Sequence, residues 1–309
     1  MAEITDFGSP APVGGRATRL EKVSGPLVTI KRKYPMDVDT LYAIQRAMRS
    51  GASAEYKAAI RTAFNDADRV IRNIVARHEY IRWQALTTGK VTYTDERGLV
   101  VNLDYGFPAV KNTFYASTNW SDTENATPLT DLMEACDKME KEWGVRPTRA
   151  VARRTDWSRL LRNKAEAQLW VHGSDLQNRP LMQNELNTLL AEMDLPGFVV
   201  YETKVRHEDP QTKAVTEIEL LPEGMILLLP PTNVRIGESL IGPTPTEVWN
   251  SDGYGDGIIR METRPELVVR IYKEGNDPGI VWTLGESTMA PTLPGIQNVA
   301  WFYTAPKGS

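Results

Sequence analysis

Chemistry in a protein starts from a few residue types, and here they are sparse. There are three histidines, His78, His172 and His207, and one cysteine, Cys136. The histidine spacing matches neither HxxxH nor HExxH, so it does not point to a zinc hydrolase. A single thiol forms no intrachain disulfide and no cysteine-based zinc site. His78 falls on or near the apolar stripe of a long helical segment, where a packed or capping role is expected. His207 stands in a polar turn, and His172 has no motif around it. Cys136 lies on the apolar face of an amphipathic helix, where a thiol behaves as a small hydrophobe rather than a nucleophile. No GxSxG elbow, Walker-type phosphate loop or GxGxxG turn is present. The glycines of Asp252-Gly-Tyr-Gly-Asp-Gly257 invite a calcium-loop reading. Tyr254 and Thr263, however, occupy positions where such a loop needs oxygen ligands from acidic side chains, so a loop tip is the better reading. Neither catalysis nor a metal or other cofactor is expected.

Charge is distributed more informatively. Residues 146–164 hold six Arg and one Lys against a single Asp, whereas residues 121–142 hold seven acids against two Lys. Segregation of this kind can place subunits side by side, with Arg146, Arg149, Arg153 and Arg154 on one side and Asp131 and Glu134 on the other. It can also bind phosphate, or simply solvate two helix faces. Nucleic-acid binding would call for interleaved aromatics, and only Trp157 is there. The first 35 residues carry Arg16, Arg19, Lys22, Lys31, Arg32 and Lys33 against Glu3, Asp6 and Glu21, punctuated by Pro and Gly. They read as a basic arm or hairpin without a core of its own, containing one short strand, Leu27-Val-Thr-Ile30.

The elements that must position these groups follow from periodicity. From Ala54 to Thr88 there is no Gly or Pro, and apolar residues such as Ile60, Phe64, Val70, Ile74, Ile81 and Ala85 recur in steps of three and four. This predicts a helical rod of about 50 Å, stopped at Gly89 and lying across a sheet. A short helix is expected at 38–49 and a hairpin at 91–105. Thr127-Pro128 opens a helix that ends before Gly144. The pattern then gives a strand at 149–152, helices at 156–163 and 181–193, and strands at 198–206, 214–221 and 225–229. Residues 231–257 read as loop, and strands at 258–263, 266–273, 279–289 and 297–304 close the chain. Helices and antiparallel strands are segregated, so the fold class is α+β.

The chain has 309 residues, a formal net charge of −4 and a hydrophobic fraction of 41%. That composition is globular, and it argues against a globally basic nucleic-acid binder. No apolar run approaches the ~18 residues of a membrane span, and Met1 to Pro10 lacks the features of a signal peptide.

Five local sequences stand in order along the chain: Arg77-His-Glu-Tyr-Ile-Arg-Trp-Gln-Ala-Leu-Thr-Thr-Gly-Lys90, Val101-Asn-Leu-Asp-Tyr-Gly106, Leu221-Pro-Glu-Gly-Met-Ile-Leu227, Ile241-Gly-Pro-Thr-Pro-Thr-Glu247 and Met289-Ala-Pro-Thr-Leu-Pro294. In this order they resemble the capsid protein E family of tailed double-stranded DNA phages, which has the Hong Kong-97-type fold. The resemblance implies a P-domain from 36–115 and 258–309 with the long helix as its spine. It implies an A-domain at 116–257, with the 231–257 loop near a symmetry axis, and an N-terminal segment 1–35 that is mostly extended E-loop. It implies a shell protein that assembles with itself into hexamers and pentamers in the host bacterial cytoplasm and becomes part of the virion. Scaffold, portal and decoration proteins are implied partners. Packaged double-stranded DNA would be enclosed without sequence-specific binding, and no membrane is involved. Under this reading the basic residues of the arm pair with acids on a neighbour. An encapsulin-like compartment of the same fold, holding a cargo enzyme, is the alternative.

Overall fold

A computed structural model describes residues 27–36, 42, 46, 53–94, 100–173, 181–208, 214–251, 258–264, 266–274 and 280–308. In chain order it begins with β1 (Val28–Pro35), the long helix α1 (Ser53–Thr88), β2 (Lys90–Thr94), β3 (Val100–Asp104), the single turn α2 (Ala109–Asn112) and β4 (Thr113–Tyr115). Next come α3 (Pro128–Trp143), β5 (Arg149–Ala152), α4 (Arg154–Arg162), a π-helical turn (Lys164–Gln168) running into α5 (Leu169–His172), and α6 (Gln183–Glu192). Strands β6 (Gly197–Val200), β7 (Lys204–Glu208), β8 (Val215–Glu219), β9 (Met225–Leu229) and β10 (Glu238–Ile241) precede helix α7 (Pro245–Ser251). The chain closes with β11 (Ile258–Arg264), β12 (Leu267–Glu274), β13 (Ile280–Thr292), a 3-10 turn (Ile296–Asn298) and β14 (Ala300–Tyr303).

Two five-stranded sheets organise these elements. The first runs β1-β13-β12-β11, with β10 also pairing β13, and is antiparallel throughout. The second runs β4-β14-β9-β5-β6, with parallel pairs at both edges. Its strands β4 and β14 come from outside 116–257. Two ribbons, β2–β3 and β7–β8, complete the pairing among the described residues.

Helix α1 lies across the first sheet because its apolar stripe needs a partner face. Val70 and Ile74 pack on Leu267 and Val269, and two turns further along Ile81 and Ala85 pack on Val28 and Met289. The closest approach is at Gly285 of β13. A Cβ there would lie 2.1 Å from Val70 Cγ1 and 2.8 Å from Ile74 Cδ1, so only glycine lets helix and strand meet. Gly89 ends the helix in the left-handed region at φ 68°. The second sheet is covered on one face by α3, α4 and α6, through Leu129, Leu132, Met139, Trp157, Leu160, Leu186 and Leu190 against Ile226, Leu228 and Phe302. Its other face puts Leu227 and Trp301 against Trp83 and Leu86 of α1.

Several expectations need revision. The arm expected to lack a core is, over 28–35, an eight-residue strand whose Val28 is buried on Met289. The strand expected at 198–206 is two, β6 and β7, which join different partners. His207 is therefore an exposed strand residue rather than part of a turn. The expected 231–257 loop contains β10 and α7. Thr244 and Glu247 close a capping box, with the Thr244 N–H donating to Glu247 Oε2 at 2.7 Å and the Glu247 N–H to Thr244 Oγ1 at 3.3 Å. Residues 1–26, most of the expected 38–49 helix and the 252–257 loop tip lie outside the described residues.

Candidate functional site

The reactive residue types are not gathered at one place. Cys136 is fully buried in α3, and that burial pushes its thiol pKa up to about 12. His78 is buried on the sheet-facing side of α1. His172 packs its ring near Glu185, with Nε2 3.8 Å from Oε2. Among the described residues no group of three or more His, Cys, Asp or Glu side chains could hold a metal ion. No described helix is long and apolar enough to cross a membrane.

Buried carboxylates instead hold elements together. Glu166, in the π-helical turn, accepts from the N–H of Leu129 at 2.8 Å and of Thr130 at 3.2 Å, and from the Thr130 hydroxyl. It therefore caps α3 from outside. Thr127 was the expected cap, but its side chain makes no capping bond to α3; its hydroxyl lies 3.1 Å from Ser117 Oγ. Asp156 is fully buried at the start of α4 and receives Arg159 at 2.9 Å, the Gly224 N–H at 3.2 Å and the Thr304 hydroxyl at 3.4 Å. Burial raises its pKa despite those donors. Asp131 likewise faces inward, accepting from Ser117 N at 3.2 Å and Trp120 Nε1 at 3.4 Å, and burial raises its pKa. Glu286 of β13 takes the Thr246 N–H at 3.1 Å and its hydroxyl at 2.6 Å, with Lys31 of β1 at 3.2 Å. One carboxylate thus ties β13, β1 and α7.

The two oppositely charged stretches meet within the chain. Arg146 reaches Asp137 at 2.6 Å, Glu140 at 3.0 Å and Asp194 at 3.2 Å. Lys164 pairs with Glu124, Arg159 with Glu223 at 3.0 Å, and Arg153 with Glu219 of the β7–β8 ribbon. Arg149 donates twice to the Pro230 carbonyl, at 3.0 and 2.9 Å. Glu134 pairs with Lys138 on the exposed side of α3. Arg154 and Arg162 are exposed, and among the described residues no carboxylate lies within ion-pair distance of either guanidinium.

In the N-terminal region, Lys31 is paired as above. Arg32 lies over the Tyr34 ring at 5.2 Å and Lys33 over the Trp282 ring at 4.3 Å. Arg16, Arg19 and Lys22 lie outside the described residues.

One junction carried no sequence signal. Tyr201, just past β6, donates its hydroxyl to Glu79 of α1 at 2.6 Å and stacks on Trp83 with centroids 4.3 Å apart. Trp301 of β14 donates Nε1–H to the Leu86 carbonyl at 2.8 Å and stacks on Phe107 at 3.7 Å. The second half of α1 is therefore fixed to both sheets. An aromatic group recruited from three distant segments leaves no local motif to read.

Comparison with known proteins adds the following. The family model described as phage major capsid protein E matches residues 1–292. The crystal structure of a protein assigned as the capsid protein of an E. coli CFT073 prophage superposes with a TM-score of 0.61 at 20% identity, covering 90% of this chain and 77% of that one. A phage-related protein of Bordetella bronchiseptica RB50 gives a TM-score of 0.46 at 12% identity, covering 90% and 76%. The capsid of Myoviridae phage XM1 gives 0.42 at 9%, covering 90% and 74%. At 20% identity the likeness to the E. coli prophage protein is one of fold. No curated protein sequence matches.

Proposed function

The chain belongs to the phage major capsid protein E family, a structural component of the virion shell with the Hong Kong-97-type fold, and from that premise we propose how it works. Copies assemble into hexamers and pentamers that close an icosahedral head around double-stranded DNA. Assembly takes place in the host bacterial cytoplasm, with scaffold, portal and decoration proteins as further partners. The observation that carries the reading is the family match over nearly the whole chain. The internal structure suits it: the buried carboxylates and cations join elements of one subunit, which favours a rigid building block over a catalyst.

In this reading 36–115 and 258–309 form the P-domain, 116–257 the A-domain with β10 and α7 docked on the P-domain sheet, and the N-terminal segment ahead of β1 reaches a neighbour. Much of the 146–164 charge is satisfied within the subunit. The contacts between subunits therefore fall to Arg154 and Arg162, still exposed, and to Arg16, Arg19 and Lys22. DNA is enclosed rather than gripped. A net charge of −4 suits a shell that does not add salt-dependent affinity at every phosphate.

Light scattering of the purified chain, coupled to size-exclusion chromatography, tests the interface. Reversing the charge of Arg16 and Arg19 is expected to reduce assembled mass while leaving the subunit's melting temperature nearly unchanged. Equal loss of both would refute the interface assignment.

A further inference from the structure

Among the described residues His78 is the one histidine buried between α1 and the first sheet, only 1% exposed. Its hydrogen bonds determine its tautomer. The Ser287 hydroxyl donates its single proton to the Glu266 carbonyl at 2.6 Å. Ser287 Oγ can then only accept from His78 Nε2, 2.9 Å away, so Nε2 carries the ring proton. Nδ1 is left with a bare lone pair and no hydrogen-bond partner. The nearest acidic oxygen is Glu266 Oε2 at 3.9 Å, on a side chain that is half exposed.

We propose that His78, Ser287 and Glu266 form an acid-sensitive latch between the long helix and the sheet beneath it. With the ring neutral, the bond to Ser287 adds to the apolar packing of Val70, Ile74, Ile81 and Ala85 that closes the seam. Protonation adds an N–H at Nδ1 that has no acceptor until Glu266 moves inward by roughly 1 Å to hydrogen-bonding distance. The seam at this turn of α1 therefore loosens in acid, and Glu266 limits the loosening.

The surrounding charges decide the direction. On α1, Arg82 stands one turn on, fixed to Ser239 of β10 at 3.0 Å. Glu266 precedes β12. On β13, Glu286 is next to Ser287 but points to the opposite face, as strand alternation requires, where it meets Lys31 of β1 and Thr246 of α7, with Arg270 of β12 at 3.9 Å. Burial first, then Arg82, hold the ring below its ordinary value of 6.5, and Glu266 opposes them. For a histidine depressed in the folded chain, the unfolded chain binds the proton first. Stability is full above 6.5 and falls as pH drops below it, until the folded ring also protonates.

The test is urea unfolding of the full chain at about pH 7.5 and about pH 5.5, for the natural sequence, His78→Gln and Glu266→Gln. Gln keeps a donor for Ser287 and does not titrate. Between these pH values the unfolding equilibrium constant of the natural chain is expected to rise by up to about tenfold more than that of His78→Gln. Glu266→Gln is expected to deepen the acid loss. The same pH response in the natural chain and His78→Gln would overturn the latch. Should His78→Gln not fold, imidazole nitrogen NMR of the natural chain decides. An Nε2–H ring titrating below 6.5 supports the latch. An Nδ1–H ring, or one titrating at or above that value, refutes it.

Discussion

Substituting Gly285 by Ala probes the contact on which the first sheet and the long helix depend. The new methyl would sit 2.1 Å from Val70 Cγ1 and 2.8 Å from Ile74 Cδ1, both on fully buried side chains. Carbon atoms in van der Waals contact prefer at least about 3.5 Å, so something must yield by roughly 1.4 Å. Val70 and Ile74 cannot swing aside easily, since a β-branched side chain in a helix has one strongly preferred χ1. Overpacking of this kind costs about 1–3 kcal/mol, and the stiffer unfolded chain that Ala provides returns about 0.4–1 kcal/mol. Central values of the two ranges leave an expected net loss of about 1–2 kcal/mol, read as a lower urea midpoint at unchanged slope. Val70→Ala removes the nearer of the two clashing methyls. The double variant is therefore expected to be less destabilised than the sum of the two singles, by about 1 kcal/mol or more. A Gly285→Ala protein as stable as the parent, or strict additivity in the double variant, would refute the close approach.

Two further outcomes follow from buried groups. Glu166→Ala leaves the Leu129 and Thr130 N–H groups at the start of α3 without their acceptor, and is expected to cost about 1–3 kcal/mol in chemical denaturation, whereas Thr127→Ala is expected to cost much less. With its pKa up to about 12, the Cys136 thiol stays protonated and enclosed in the folded chain at about pH 9, while an unfolded thiol ionises there. Thiol reagents are expected to label it only at the rate of unfolding, and stability is expected to fall as pH rises past 9. Rapid labelling of the folded chain would contradict the burial.

Local signals carried as much of the fold as local rules allow. Helix α1 was legible because nothing between Ala54 and Thr88 breaks a helix and the stripe is continuous; Ser53–Thr88 is what forms. Helix α3 was legible at both ends from Thr127-Pro128 and Gly144, although its cap turned out to be Glu166, close in space and far in sequence. The 231–257 stretch was misread because its Gly and Pro count outweighed a signal that was present, the Thr244-Pro-Thr-Glu247 capping box. Strand β1 was expected to end at Ile30, because Lys31, Arg32 and Lys33 were read as charges reaching a neighbour. Glu286, Tyr34 and Trp282 make them strand residues, and two of those three partners lie near the other end of the chain. The charged stretches were visible at once, but their pairing within one subunit was not, since sequence gives the sign of a charge and not its neighbour. The Tyr201–Glu79–Trp83 junction likewise exists only once two distant segments have met.

The central claim is that this chain builds a shell, and electron microscopy of the purified protein tests it most directly. The account predicts uniform closed particles tens of nanometres across, or rings of five and six subunits. A population made up only of 34.6 kDa monomers, unchanged as concentration is raised, would contradict it.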